Sequence, residues 1–250
     1  SVIMNPTPVT DFTSSESCSG DTTYFTLSGS FIQKISNWLW DFGDGTFATF
    51  NAPSAPSHLY ATYGTYTVTL SVVDTNGCDY QVSHQVQVLP HPTAFFSFTT
   101  PNCLDNTTAF SDLSTNPSGQ GYIQQWIWNF GDGSAADTVL FPENPNRDHK
   151  YLAAGTYNVV LTILNSKGCA ASFQSTVSVT TRPISAFSFW SSCEDQQAYF
   201  QDNSNENSGG QISAWQWDFG DPTSGALNFS SLPDPVHTYA SAGTYPVTLI

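Results

Sequence analysis

WLWDFGD, at residues 38–44, recurs in this chain as WIWNFGD at 126–132 and as WQWDFGD at 215–221. The closing Gly-Asp steps lie 88 and then 89 residues apart. Solenoid repeats have periods of about 20–50 residues, so a repeat of this length is a whole domain. The 250 residues are therefore predicted to form three domains. Each would hold about 90 residues, a usual size for a β-sandwich.

The alternation within the motif predicts a strand with one buried face. Successive side chains of a strand point to opposite faces, so Trp38, Trp40 and Phe42 share a face. The position between the tryptophans changes from Leu39 to Ile127 and Gln216. The ring face is therefore the predicted core face, and each ring buries on the order of 150–250 Å². The predicted core residues are Trp38, Trp40, Phe42, Tyr66, Trp126, Trp128, Phe130, Tyr157, Trp215, Trp217, Phe219 and Tyr245.

Two further segments recur after the motif. The first is His-x-Tyr, with His58, His149 and His237, and the second is Gly-Thr-Tyr-x-Val-x-Leu, which begins at 64, 155 and 243. The second alternates like a long strand, and its tyrosine matches the tyrosine corner of immunoglobulin-like sandwiches. The histidines are interpreted as structural, because no nucleophile or carboxylate partner is seen to accompany them. No helical periodicity is found, so the predicted fold is all-β: three tandem immunoglobulin-like sandwiches stacked end to end.

The repeat phase predicts the domain boundaries. The first domain covers residues 6–90, the second 91–181 and the third 182–250. Residues 1–5 have the pattern of the last strand of a preceding repeat, and the third domain is predicted to be truncated before its last strand. The linkers at 89–92 and 181–183 are short and contain proline, which restricts the backbone. A stiff rod is expected, with about 30–40 Å per domain at ~3.3 Å per strand residue.

The charge balance excludes some partners. The chain has 20 Asp and Glu against 5 Lys and Arg, a net charge of −15. No basic patch can form, so nucleic-acid binding is excluded. No run of 18 apolar residues is present, so no direct membrane insertion is expected.

The three motifs together resemble the PKD (polycystic kidney disease) domain family. They occur in the same order in all three repeats and cover nearly the whole chain. The resemblance implies extracellular immunoglobulin-like sandwiches that are structural or adhesive and not catalytic. The placing of the cysteines resembles PKD arrays in Bacteroidota surface adhesins and gliding proteins exported by the type IX system. The third repeat departs from the pattern, with Asp221-Pro222 in place of Asp-Gly.

The five cysteines also follow the repeat. Cys18, Cys103 and Cys193 precede Phe25, Phe110 and Phe200 by seven residues each. Cys78 and Cys169 each follow a glycine after the long alternating strand that begins at residue 64 or 155. Such placing in an extracellular protein predicts disulfides. One alternative is pairing within domains, Cys18–Cys78 and Cys103–Cys169. The other is an interdomain Cys18–Cys169 bond. Cys18 lies in the loop between the first two predicted strands and Cys78 in the turn between the last two, and these loops lie at opposite ends of such a sandwich. Cys193 would find its partner outside the chain.

A calcium site is a further candidate. Asp41, Asp44 and Asp74 lie in turns, and Ca²⁺ prefers several oxygen ligands from turns. The counterparts are Asn129, Asp132 and Asn165 in the second repeat, and Asp218 and Asp221 in the third. The alternative is that the Gly-Asp carboxylate only holds its turn. Apart from possible calcium, no cofactor is expected.

Two kinds of surface feature complete the candidates. Asn106 and Asn228 lie in glycosylation sequons, and Thr22 and Thr138 follow Asp as in the O-glycosylation pattern of Bacteroidota. Tyr122, Phe141 and Trp190 are aromatic residues outside the repeat. They would either bind carbohydrate or pack at loops and junctions.

The sequence thus favours a non-catalytic structural or adhesive segment of a large secreted cell-surface protein. Its partners would be neighbouring repeats of the same chain or filament, surface glycans or other cell-surface proteins. The alternative is a spacer, or a module that grips polysaccharide, in a secreted glycanase or peptidase. No catalytic motif of the known kinds is found in the sequence, so an enzyme is not predicted.

Overall fold

The computed structural model describes residues 6–30, 34–100, 102–190, 193–207 and 210–250. The predicted strand at 1–5 lies outside these residues. The chain folds into three β-sandwiches in tandem, as the repeat predicts. The elements of the described part are β-strands, with a short 3₁₀ helix in the third domain.

The first domain has a three-stranded sheet with the order β1-β3-β6 and a five-stranded sheet with the order β2-β8-β7-β4-β5. The short β2 lies parallel to the end of β8, and the other pairs are antiparallel. The strands are β1 (Val9–Ser14), β2 (Ser17–Cys18), β3 (Thr22–Ser30), β4 (Ile35–Asp41), β5 (Phe47–Phe50), β6 (Ser57–Leu59), β7 (Gly64–Asp74) and β8 (Asp79–Leu89).

The second domain repeats this arrangement, with sheets in the orders β9-β11-β14 and β10-β16-β15-β12-β13. Its strands are β9 (Phe96–Phe98), β10 (Asn102–Cys103), β11 (Thr107–Asp112), β12 (Ile123–Asn129), β13 (Asp137–Leu140), β14 (Arg147–Lys150), β15 (Gly155–Asn165) and β16 (Ala170–Thr180).

The third domain has two three-stranded sheets, in the orders β17-β18-β21 and β20-β19-β22. The Asp-Pro step changes its first turn into a 3₁₀ helix at Pro222–Asn228. Its strands are β17 (Phe187–Trp190), β18 (Gln197–Asp202), β19 (Trp217–Asp218), β20 (Phe229–Ser230), β21 (Val236–Thr238) and β22 (Thr248–Leu249).

The motif rings form the core between the sheets. Trp38 and Trp40 of β4 are fully buried, and Phe12 from the opposite sheet packs edge-on against Trp40 at 4.9 Å between ring centres. The counterparts Trp128 and Trp217 are also fully buried. Two groups of predicted core residues are less buried than expected. These are Trp215 and the tyrosines of the Gly-Thr-Tyr segments, Tyr66, Tyr157 and Tyr245, which are half-buried at the edge of the core.

The indole N–H groups show a difference between the domains. Trp126 donates to Asp112 Oδ2 at 2.9 Å, and Trp215 donates to Asp202 Oδ2 at 2.7 Å. At the corresponding position the first domain has Leu27, and the buried Trp38 Nε1 has no hydrogen-bond partner among the described residues. The indole N–H of the first motif tryptophan therefore donates to a carboxylate in the second and third domains, whereas in the first domain this tryptophan is held by apolar packing.

The motif glycine is required by the turn that it begins. Gly131 has a φ of +76°, and a Cβ atom there would lie 2.4 Å from the carbonyl oxygen of Asn158 on β15. Gly43 and Gly220 are in the same position, with backbone oxygens 2.5 and 2.6 Å from the added atom. A side chain at this position would therefore strain the backbone and also push β15 away from the turn that follows β12.

We predict that Gly131→Ala destabilises the second domain by about 3 kcal/mol or more, from left-handed strain and overpacking together. The matched control is Gly133→Ala in the same turn. Gly133 also has a positive φ, of +83°, but an added Cβ meets open space. The control should cost only about 1–2 kcal/mol. Urea unfolding, monitored by hydrogen exchange of second-domain peptides, measures the loss of stability in both variants. Equal losses would contradict the close approach of Gly131 to β15.

Candidate functional site: the domain junction

The turn between β15 and β16 presents Cys169 in a fixed position. Asn165 Oδ1 accepts the backbone N–H groups of Lys167 and Cys169, at 3.0 and 2.9 Å. In the first domain, Asp74 holds Cys78 in the same way, with its Oδ1 2.8 Å from the Cys78 nitrogen. These backbone hydrogen bonds lower the pKa of Asp74, the Cys78 bond being the largest cause. Each turn therefore holds its cysteine in place at the end of the domain where the two longest strands are joined.

The other half of the junction lies in the first domain, at the end opposite to Cys78. β2 pairs parallel with the end of β8, so that Cys18 lies opposite Leu89 at the start of the linker. Cys18 and Cys169 form a disulfide with 5.8 Å between their Cα atoms, and both are buried with Leu89. The structure therefore contains the interdomain pairing and not the pairing within domains. Cys78 and Cys103 are free.

His91 in the linker connects the same two domains without a covalent bond. Its Nε2 lies 2.8 Å from the carbonyl oxygen of Ser19 in the first domain. Its Nδ1 lies 2.7 Å from the carbonyl oxygen of Ala170 in the second. A neutral imidazole has a single N–H, so only the protonated ring can donate to both carbonyl groups. Nothing in the sequence pointed to this histidine except its place between two prolines.

The junction between the second and third domains has different contacts. Arg182 takes the place of His91 and donates to Asn106 of the second domain. Asn207 of the third domain donates to the carbonyl oxygen of Arg182 at 3.3 Å and accepts a hydrogen bond from Thr181. Cys103 occupies the place of Cys18, paired through β10 with the end of β16. This junction is held by hydrogen bonds in the described residues, whereas the first is covalent.

Within each domain, a histidine and the motif aspartate form a pair. His58 Nε2 lies 2.7 Å from Asp44 Oδ2, and His149 Nε2 lies 2.7 Å from Asp132 Oδ2. His237 lies 3.1 Å from Asp221 in the third domain. The interpretation that no carboxylate accompanies the histidines is therefore wrong, because the partner lies in the turn that follows a strand of the other sheet. Since no nucleophile is seen in the pair, the geometry still supports a structural role.

The aspartate also closes its own turn, which was the alternative to calcium binding in the sequence analysis. Asp132 Oδ1 accepts the Ser134 N–H at 3.0 Å and also its hydroxyl. Burial alone would raise the pKa of Asp132, but the hydrogen bonds from Ser134 and His149 outweigh it and lower the pKa to about 2. The pKa of Asp44 is lowered for the same reasons, with Thr46 and His58 as donors.

The candidate calcium ligands are not brought together. Strand pairing places Asp41 opposite Thr69, while Asp74 lies near the other end of β7, opposite Ile35. At ~3.3 Å per residue the two ends are separated by well over 10 Å. Asp41 instead accepts the Gly43 N–H at 2.9 Å, and Asn129 and Asp218 do the same in their turns. No cluster of three or more candidate metal ligands occurs within the described ranges.

The predicted glycosylation residues have different environments. Thr22, Thr138 and Asn106 are exposed, although Asn106 is engaged by Arg182. Asn228 is buried, its Nδ2 donates to Asp218 and its Oδ1 accepts the Asp221 N–H. A glycan on Asn228 is therefore incompatible with this fold.

The three aromatic residues outside the repeat also differ. Tyr122 and Phe141 pack against each other, with 4.6 Å between ring centres. Both rings of this pair remain exposed, at 49% and 55%. Trp190 is exposed on β17, where it lies beside Tyr199.

Comparison with known proteins identifies the family. The PKD domain model matches residues 5–88, 90–181 and 182–250, so the chain belongs to the PKD domain family. It is similar to collagenase ColA of Bacillus cereus, with 36% identity over 83 residues, 33% of this chain and 8% of the collagenase. It is also similar to a microbial collagenase of Vibrio alginolyticus, with 42% identity over 55 residues, 22% of this chain and 6% of that protein.

Solved structures add a comparison of fold. The PKD1 domain of the Vibrio cholerae metalloprotease PrtV shares 26% identity and a TM-score of 0.31, covering 36% of this chain and 99% of that one. The PKD1 domain of Vibrio anguillarum Epp shares 23% identity and a TM-score of 0.31, covering 36% and 95%. Among the described residues, no helix has the length and apolar character needed to cross a membrane.

We predict that Cys18→Ser loosens the first junction, because a disulfide that closes a long loop contributes about 2–4 kcal/mol. The Ser19 amide, which donates to Leu89 near the bond, should exchange its hydrogen faster. Hydrogen exchange followed by mass spectrometry measures this change. The control is Cys103→Ser, the same position in the second domain without a disulfide. Equal effects of the two variants would show that the bond adds no rigidity.

A second prediction concerns the stability of the second domain at low pH. The pKa of Asp132 is lower in the folded state than in the unfolded chain, so its bonds stabilise the domain above about pH 4. That contribution is lost as the pH falls toward 2. Asp132→Asn should therefore cost about 1–2 kcal/mol at pH 7 and almost nothing near pH 2. Urea unfolding of the second domain at both pH values measures the difference.

The control for acid stability is Asp148→Asn, an exposed carboxylate on β14 next to His149. It should leave stability unchanged at pH 7. A pH-independent loss in Asp132→Asn would show that the carboxylate charge contributes nothing.

Proposed function

We propose that this chain is a non-catalytic structural or adhesive segment of a large cell-surface protein. The observation that carries the proposal is the first junction, where the Cys18–Cys169 disulfide and His91 hold one domain against the next. A segment that transmits force or keeps a fixed spacing needs successive domains that do not turn freely. A flexible linker would allow such turning.

The proposed location is outside the cell. Disulfides persist in oxidising compartments and are rare in the cytosol. The buried Cys18–Cys169 bond therefore supports an extracellular location. Secretion by Bacteroidota through the type IX system is part of the same proposal. It rests on the sequence resemblance in the placing of the cysteines, and the full-length gene tests it by the presence or absence of the export signal of that system.

The partners proposed for this segment are the neighbouring repeats of the same protein or filament, surface glycans and other cell-surface proteins. Nucleic acid is not among them, because the chain has 5 basic residues against 20 acidic ones.

The alternative function is a spacer, or a module that grips polysaccharide, in a secreted glycanase or peptidase. Two relatives are named collagenases, and the chain matches only 8% and 6% of their length. In those proteins the matching segment is therefore a small part of a much larger chain. This proportion favours an accessory role, while the covalent junction favours the structural role that we propose first.

Small-angle X-ray scattering of the oxidised protein tests the rod. Three domains of about 30–40 Å placed end to end give a length of about 100 Å and a radius of gyration of about 30 Å. A compact globule of 250 residues would have a radius of gyration of about 18 Å. The larger value is expected, and a value near the smaller one would overturn the structural proposal.

A further inference from the structure

The outer face of the third domain carries a row of exposed apolar side chains. Trp190 lies opposite Tyr199, and Tyr199 lies opposite Val236, across three neighbouring strands. Their exposed fractions are 57%, 52% and 46%. Phe187 and Phe200 occupy alternate positions of the same strands and pack in the core instead, as the two-residue period requires. The row is therefore a continuous surface on one side of the sheet.

The two other domains do not have this row. In the first domain, Tyr24 lies opposite Ser57, and the Ser15 N–H bonds to the Tyr24 carbonyl at the position of Trp190. In the second domain, Ala109 lies opposite Asp148 in the corresponding place. The same fold is thus built without an aromatic row. Trp190 and Val236 are features of the third domain that folding does not require.

The strand positions that flank the row on the same face are polar but uncharged. Gln197 and Gln201 share the face of Tyr199 on β18, and Thr238 shares the face of Val236 on β21. All three are exposed. Amides and hydroxyls can donate and accept hydrogen bonds, and these strand positions present no charge that would select an ionic ligand.

The size of the row argues against a protein partner. Two half-exposed aromatic rings and a valine offer on the order of 300 Å² of apolar surface. A stable protein interface buries about 800 Å² on each side, so a second copy of the chain would gain too little here. An anionic polymer would be repelled by a chain with a net charge of −15.

We propose that this face, centred on Trp190 and Tyr199, binds a neutral polysaccharide. Sugar rings have apolar C–H faces that stack on aromatic rings, and hydroxyl groups that the flanking glutamines and Thr238 can bind. Neighbouring strands lie about 5 Å apart, so the two rings together form a platform for consecutive sugars of one chain. The inference rests on the adhesive or accessory role proposed above and names its ligand class and site.

Affinity gel electrophoresis of the whole protein tests this. The gels contain a neutral polysaccharide, with hydroxyethyl cellulose, galactomannan and soluble starch as probes, or the anionic polymer alginate. Retardation is expected with at least one neutral probe and not with alginate. The absence of retardation in all the neutral gels, or stronger retardation in alginate, would overturn the inference.

Variants show whether the row is the site. Trp190→Ala and Tyr199→Ala should each weaken binding about tenfold, which is typical of an aromatic residue at the centre of an interface. Trp190→Phe should retain part of the affinity because it keeps a ring. The matched control is Tyr24→Ala, which removes an exposed tyrosine from the corresponding strand position of the first domain. Binding that resists both third-domain substitutions would overturn the proposed site.

The outcome is separate from that of the rod. An extended particle that binds no neutral polysaccharide removes this inference and leaves the structural proposal intact. A compact particle that binds through Trp190 and Tyr199 does the reverse. The remaining possible occupant of this face is a second copy of the chain, and sedimentation at increasing protein concentration tests for it. Self-association that is lost in Trp190→Ala would assign the face to a second copy and overturn the inference.

Discussion

In every domain, one carboxylate joins the two sheets. Asp44 follows β4 of the five-stranded sheet, and His58 lies on β6 of the three-stranded sheet, so their hydrogen bond crosses the sandwich. The imidazole ring also stacks on Phe42 at 4.0 Å between ring centres. The motif glycine is needed because the chain must turn sharply for the aspartate to reach the histidine. The motif is therefore a clamp at one end of each domain.

The clamp also explains which tyrosine is most buried. Tyr60 follows His58 by two residues, is fully buried and donates to the carbonyl oxygen of Phe42 at 3.0 Å. Tyr66 stacks on Tyr60 and donates to Thr62 O at 2.8 Å, four residues back. His58 stacks on Phe42 and Tyr66 stacks on Tyr60, and an edge-on contact between His58 and Tyr60 joins the two pairs into one aromatic cluster. The tyrosine hydroxyl groups satisfy backbone carbonyls that the turns leave open.

The alternation of strand residues allowed much of the fold to be predicted. The two-residue side-chain period is local and predicted the burial of Trp38 and Trp40, and the repeat spacing, which is visible in the sequence itself, predicted the number of domains. The His–Asp pair could not, because its members are separated by 14 to 17 residues and meet only when two sheets pack. The calcium hypothesis failed for the reverse reason. Asp41 and Asp74 occupy turns of similar composition, but the strands place those turns at opposite ends. Asn228 shows a third limit, since the sequon does not reveal that the 3₁₀ helix buries its amide.

The position of the disulfide has a mechanical consequence. Cys18 and Cys169 are separated by 151 residues, so the bond bypasses most of the first two domains. Tension applied along the protein passes from β2 across the sulfur atoms to the start of β16. The residues between them lie inside a covalent loop and bear no direct load. At ~3.4 Å per extended residue, about 500 Å of contour length is locked away for as long as the bond is oxidised. The strands within the loop can then unfold by heat or denaturant, while pulling on the chain ends cannot draw them out.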